Sequence, residues 1–267
     1  MKNRFALILI AAGACLACAT AANAGQRCDT AKPTPRVIER GLNLAQRTAA
    51  ALDAEHRQHG TRVVLLARAG QDLSKYGQHW SHVGWAYKTA EGPWRVVHKL
   101  NECGTDQSLI TRQGLGEFFL DDLWRYEAAW VAPSPELQGA LWPLLQDNRR
   151  AGTLHQRRYS MVSYAWGTRY QQSNQWAIET LALAAEPHAQ RREQAQAWLR
   201  LKDYRPATLR IGALTRLGGR MTAGNVAFDD HPPTQRFADR IETVTADSVL
   251  DWLQRAPLGG VVQRLGG

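Results

Sequence analysis

The stretch SHVGWAYKTAEGPWRVVHKLNECG, residues 81–104, reads as two short apolar runs around a turn, and each run carries a histidine. Side chains alternate across a strand. On the first run His82, Gly84 and Ala86 share one face, with Val83, Trp85 and Tyr87 on the other. On the second, Trp94, Val96 and His98 share a face, and Arg95, Val97 and Lys99 oppose them. Glu91-Gly92-Pro93 supplies turn residues between the runs. Paired as an antiparallel hairpin, the runs bring His82 and His98 together at the ends remote from the turn. Gly84 is read as leaving space beside His82 that a side chain would deny to a substrate.

Working outward, the flanking sequence reads as alternating helices and strands. Residues 25 to 35 form an extended lead-in with Pro33 and Pro35. Residues 36 to 59 place Val37, Ile38, Leu42, Ala45, Ala49 and Leu52 near helical period, and Gly60 ends the pattern. RVVLLA (62–67) is a buried-type strand, and RYEAAWV (125–131) another. A short helix is expected at 115–120, and a longer one after Ser134, opening on Pro135-Glu136. Residues 159–172 are irregular and aromatic-rich. Ser173 is read as opening and capping a helix with Trp176, Ala177, Thr180, Leu181 and Ala184 on one face. Further on, helices are expected near 193–201 and 246–254, and short strands near 208–211 and 240–244. These elements predict an α+β fold, its antiparallel or mixed sheet built around 62–67, 82–87, 94–100 and 125–131 and packed by helices.

The N-terminus carries a different kind of signal. Lys2 and Arg4, the apolar run FALILIAAGACLACA and Ala22-Asn23-Ala24 have the order of a signal peptide, residues 1–24. Neither Ala12-Gly13-Ala14 before Cys15 nor Cys15-Leu16-Ala17 before Cys18 resembles the Leu-Ala-Gly tripeptide of a lipidated cysteine. Leader cleavage and a periplasmic or secreted protein are therefore expected. The remainder, 25–267, is read as one domain with a core at about 60–185 and a C-terminal elaboration at about 186–267. No later run is long and apolar enough to span a membrane. Cys28 and Cys103 would then be the remaining cysteines, an even count that in an oxidising compartment suggests a disulfide. The formal net charge is +9. The basic residues are spread along the chain and read as a solvated face with no specific partner, and after export an anionic envelope surface rather than nucleic acid is the neighbour such a face would meet. No cofactor or metal is expected, since zinc at His82 and His98 would need a third ligand, for which His231 with Asp229 is a remote candidate.

HVGWAY followed by a strand ending VVH resembles the H-x-G-x-Y … V-x-H pattern of circularly permuted papain-like enzymes, which include NlpC-type peptidases and lecithin:retinol acyltransferase-like proteins. QQSNQWAIETL, residues 171–181, is similar to the later motif of that group, with Ser173 where the family has a cysteine at a helix N-terminus. GPWRVVHKLN, RQGLGEFFLDDLWRYEAAW and YQQSNQWAIE also resemble the bacterial domain-of-unknown-function family numbered 2145. The first resemblance implies a Ser-His-His site. His82 would be general base and acid, His98 would orient it, and Ser173 would attack an amide or ester. Peptidoglycan stem peptides and lipid acyl groups are the substrate classes implied. The alternative is a non-catalytic module that binds an envelope peptide, lipid or peptidoglycan fragment and has lost the cysteine.

Overall fold

The structure, a computed structural model, describes residues 32–121 and 123–266. In chain order its elements are α1 (Pro35–His59), β1 (Val63–Ala69), β2 (His82–Lys88), β3 (Trp94–Asn101), β4 (Ser108–Gly114), α2 (Leu115–Phe119), β5 (Arg125–Val131), α3 (Pro135–Gln146) and α4 (Asn148–Ala151). Then come α5 (Ser173–Ala185), α6 (Arg192–Leu201), β6 (Ala207–Arg210), α7 (Ala213–Thr222), α8 (Pro233–Arg236), β7 (Arg240–Thr243), α9 (Ala246–Arg255) and β8 (Gln263–Leu265). This is an α+β fold. The main sheet has the order β4-β3-β2-β1-β5-β8, and every described pairing in it is antiparallel. The mixed-sheet alternative is thereby corrected: β1 to β4 follow one another as antiparallel neighbours, β5 returns to the free side of β1, and β8 reaches β5 only after the helices α3 to α9.

The alternation in the sequence decides which layer each helix joins. Val63, Leu65, Ala67, Val83, Trp85, Tyr87 and Val97 point to one side, where they pack with α3, α5 and α9. Val64, Leu66, Ala86, Trp94 and Val96 point to the other, where Leu44, Ala45 and Leu52 of α1 and Phe118 and Phe119 of α2 cover them. The sheet is thus sandwiched, which makes RVVLLA a continuous apolar run instead of an alternating one. The helix α1 begins at Thr34, whose side chain accepts from Val37 N, and ends at Gly60 with φ 68°. It lies so close to α2 that a Cβ on Gly41 would sit 2.8 Å from the carbonyl oxygen of Phe119.

The helix α5 is buried on every side from Ser173 to Ala184, which a one-faced amphipathic reading does not anticipate. The sheet, α3, α6 and α9 enclose it. Its single carboxylate, Glu179, is fully buried and accepts from Arg192 (Nε 2.7 Å, Nη2 3.0 Å), Gln171 Nε2 (2.6 Å) and Gln196 Nε2 (2.8 Å). Arg192 also donates to the carbonyls of Gly167, Thr168 and Tyr170, fixing the irregular segment that leads into α5.

Residues 186–266 are built into the same body. Ala195, Leu199, Val249, Leu250, Trp252 and Leu253 join the core around α5, and β8 extends the sheet beside β5. Apart from the main sheet, β6 and β7 pair as a two-stranded ribbon over a small cluster of Ile211, Val226, Phe228 and Ile241. Among the described residues no helix is long and apolar enough to cross a membrane.

Candidate functional site

The strands β2 and β3 pair only from Trp85–Lys88 against Val97–Trp94. Beyond Trp85 they fork, while β3 continues along β4 and β2 along β1. The N-terminus of α5 enters this fork. Asn174 takes the place of the missing strand neighbour: its Oδ1 accepts from Val83 N at 3.0 Å and its Nδ2 donates to Ser81 O at 3.4 Å. A buried strand N–H without a partner would be costly, and one side chain satisfies it.

On the α2 side of the fork His82 and His98 meet, His82 Nε2 lying 2.8 Å from His98 Nδ1. His98 Nε2 lies 2.9 Å from Oε1 of Gln113 on β4. The amide oxygen only accepts, so His98 carries its proton on Nε2. Its Nδ1 is then an acceptor, and Nε2–H of His82 donates to it. By this relay Gln113 fixes both tautomers and leaves a lone pair on His82 Nδ1, which makes no hydrogen bond among the described residues. His82 lines a pocket and His98 sits behind it, fully buried.

Gly84 is required for this contact, but not for the reason its position suggests. A Cβ there would fall 2.6 Å from Val96 Cγ1 and 3.0 Å from His98 Cβ. The space beside His82 is filled by the neighbouring strand, so the expectation that it admits a substrate is corrected.

Phe118 forms the floor under both imidazoles, with ring centroids 6.0 Å from His82 and 5.3 Å from His98. Arg68, opposite His82 in the β1–β2 register, lies over the same ring at 4.7 Å. It donates to Phe118 O and pairs with Asp121. Burial and the Arg68 charge disfavour protonation of both histidines. His82 is held well below the usual imidazole range, with His98 adding to the effect, and His98 is pushed down to about 3 despite its bond to Gln113. The pair is therefore neutral.

Ser173 is the first residue of α5, and its role differs from both sequence readings. The cap is Gln172, whose side chain accepts from Asn174 N at 2.7 Å. The Ser173 hydroxyl lies 3.4 Å from Tyr159 Oη, and no hydrogen bond joins it to His82. The helix thus meets the histidine strand through Asn174, one residue later than the motif implies. Ser173 and His82 nevertheless line the same pocket, whose volume is about 370 Å³. Its lining combines polar side chains, among them Arg68, His82, Ser173 and Asn174, with apolar ones, among them Leu100, Met161, Val162, Leu209 and Val244. Leu209, Asn225 and Val244 come from beyond residue 186, so the C-terminal part of the chain completes the site.

Cys103 also lines the pocket. Its expected partner Cys28 lies outside the described residues, as does the leader expected at residues 1–24. His231 is fixed structurally, with Nε2 donating to Val162 O at 2.8 Å. No group of three or more metal-ligating side chains occurs among the described residues.

Residues 55–253 match the model of a family described as "Uncharacterized protein conserved in bacteria (DUF2145)". No curated protein and no solved structure matches the chain.

Proposed function

The chain belongs to that uncharacterized bacterial family, and on this premise we propose that it is an exported binding protein whose forked-sheet pocket holds an envelope ligand. The ligand would carry an apolar arm against Leu100, Met161 and Leu209 and an amide, ester or peptide head against His82 and the first turn of α5. A volume of about 370 Å³ falls within the range of small-molecule pockets. The observation that carries the reading is the pairing of Ser173 with Tyr159 instead of His82. A serine hydroxyl needs a hydrogen-bonded base to attack, and the imidazole that could serve is held in its neutral, weakly basic form. Its Nδ1 lone pair then serves to accept a hydrogen bond from an amide N–H. Export rests on the leader-like residues 1–24.

A second reading, hydrolysis or acyl transfer at a permuted papain-like site, is favoured by the Gln113–His98–His82 relay, which orients His82 as a triad's third member would. Replacement Ser173→Cys separates the two. On the binding reading, the introduced thiol alkylates with iodoacetamide at an ordinary rate, and His82→Ala does not change that rate. Saturable binding of a muropeptide or lysophospholipid is meanwhile weakened by His82→Ala and kept in Ser173→Ala. Rapid alkylation near neutral pH that disappears with His82→Ala, or a fluorophosphonate adduct on native Ser173, would establish the enzyme instead.

A further inference from the structure

The helix α7 is amphipathic the wrong way round for a helix that packs on a core. Leu214, Leu217 and Met221, at i, i+3 and i+7, form one stripe, and they are 85%, 57% and 78% exposed. No residue of α7 is buried. Its inward side is made of small or charged groups. A Cβ on Gly219 would touch Val226 at 3.4 Å, and Arg216 turns in to pair with Asp239 at 2.5 Å. Phe237, two residues before Asp239, is 75% exposed as well.

The cations around this stripe are arranged for an anionic surface. Arg220 is exposed on α7. On the ribbon whose two strands flank it in the chain, Arg210 and Arg240 stand directly opposite each other, both exposed. Like charges at paired strand positions repel. Among the described residues neither makes an ion pair, and the nearest carboxylate in sequence, Asp239, is taken by Arg216. An apolar stripe bordered by uncompensated arginines has the composition of a helix that lies in a lipid interface, its leucines among the acyl chains and its arginines at the phosphates.

We propose that α7, with Phe237 and the Arg210–Arg240 pair, docks the protein onto anionic phospholipid bilayers. Leu209 and Asn225, which precede and follow α7, both line the pocket. Docking through α7 therefore engages a segment whose two flanks line the pocket. The inference stands apart from the identity of the pocket's ligand.

The test is co-sedimentation of the purified protein with vesicles of phosphatidylcholine alone and with phosphatidylglycerol mixed in. Binding to the phosphatidylglycerol vesicles and its loss in 0.5 M salt are expected (about three times the ionic strength at which screening reaches 8 Å). The double change Leu214→Asp and Met221→Asp should weaken it about tenfold or more. Arg240→Glu should weaken it about fivefold. These side chains are exposed, so the far-ultraviolet circular dichroism and melting temperature of each variant should match the parent. No binding to the anionic vesicles, or equal binding to neutral ones, would overturn the proposal. So would a dimer that the double change converts to monomer while the parent ignores vesicles, since the stripe would then be covered by a second copy.

Discussion

Two histidines placed at matching strand positions become a chemical unit through three neighbours: Gln113 sets the tautomers, Arg68 suppresses protonation, and Gly84 permits the approach. Their depressed pKa values have a consequence for stability. In the unfolded chain an imidazole takes a proton below about 6.5, whereas folded His98 does so only near 3. The unfolded state therefore binds more protons in the interval between, and acid favours it. The stabilisation is complete above the unfolded value and is lost progressively as pH falls toward the folded one. For one histidine the slope is at most about 1.4 kcal/mol per pH unit, and His82 acts in the same direction. Urea midpoints measured at steps from neutral pH to pH 4 should fall steadily. The same series on His98→Gln should fall less steeply, and an identical slope in the two proteins would show that the pair is not held neutral. The meeting of His82 and His98 was legible from strand alternation alone. Its third member, Gln113, was not, because β4 alternates poorly, with Leu109 at 50% exposure on an outer strand.

Among elements, the decisive event is the entry of α5 into the fork between β2 and β3. Helical periodicity located α5 to within a residue. Which of the consecutive polar residues Gln172, Ser173 and Asn174 would cap the helix, face Tyr159 or reach β2 depends on the rotation of α5 about its axis. That rotation is fixed by long-range packing, with Trp176 and Ala177 against Trp85, whose Nε1 donates to Ala177 O at 2.9 Å. Local sequence carries no signal for it. The motif accordingly pointed to Ser173, while the geometry gives the contact to Asn174. Replacement of Asn174 by alanine leaves the buried Val83 N–H without its acceptor and should cost about 1–3 kcal/mol. The Val83 amide should then exchange with solvent much faster than those of Trp85 and Tyr87, which keep their strand pairing. Hydrogen exchange followed by NMR checks this, and unchanged protection at Val83 would mean that another group closes the fork. The helix α7 and the three-residue β8 were also absent from the pattern. The apolar residues of α7 face outward around Gly218 and Gly219, and β8 is too short to show a period.

At the scale of the molecule, the question is why a chain of this size carries a charged cluster through the middle of its core. Glu179 is enclosed by apolar packing, and burying a lone carboxylate is prohibitive. Arg192 answers it from α6, and the same guanidinium closes over the carbonyls of residues 167–170. Lys99 of β3 enters from the sheet, donating to Gln171 Oε1 at 2.8 Å, and Gln171 in turn donates to Glu179. One network therefore ties the histidine strand, the segment bearing Tyr159, the helix bearing Ser173 and the part of the chain beyond residue 186. It sits across the sheet from His82 and never touches the pocket. A pair of this kind adds little net stability over well-packed apolar residues, but breaking it strands a charge. Arg192→Met should thus destabilise the fold by about 3–5 kcal/mol, and adding Glu179→Met should restore much of the loss. Equilibrium unfolding of the two variants measures this. If the network also sets the pocket, the double variant will regain its unfolding midpoint yet still bind pocket ligands weakly, because the carbonyls of Thr168 and Tyr170 lose the Arg192 guanidinium. Recovery of both together would mean that the approach to α5 is fixed by packing alone and that the charges serve only each other.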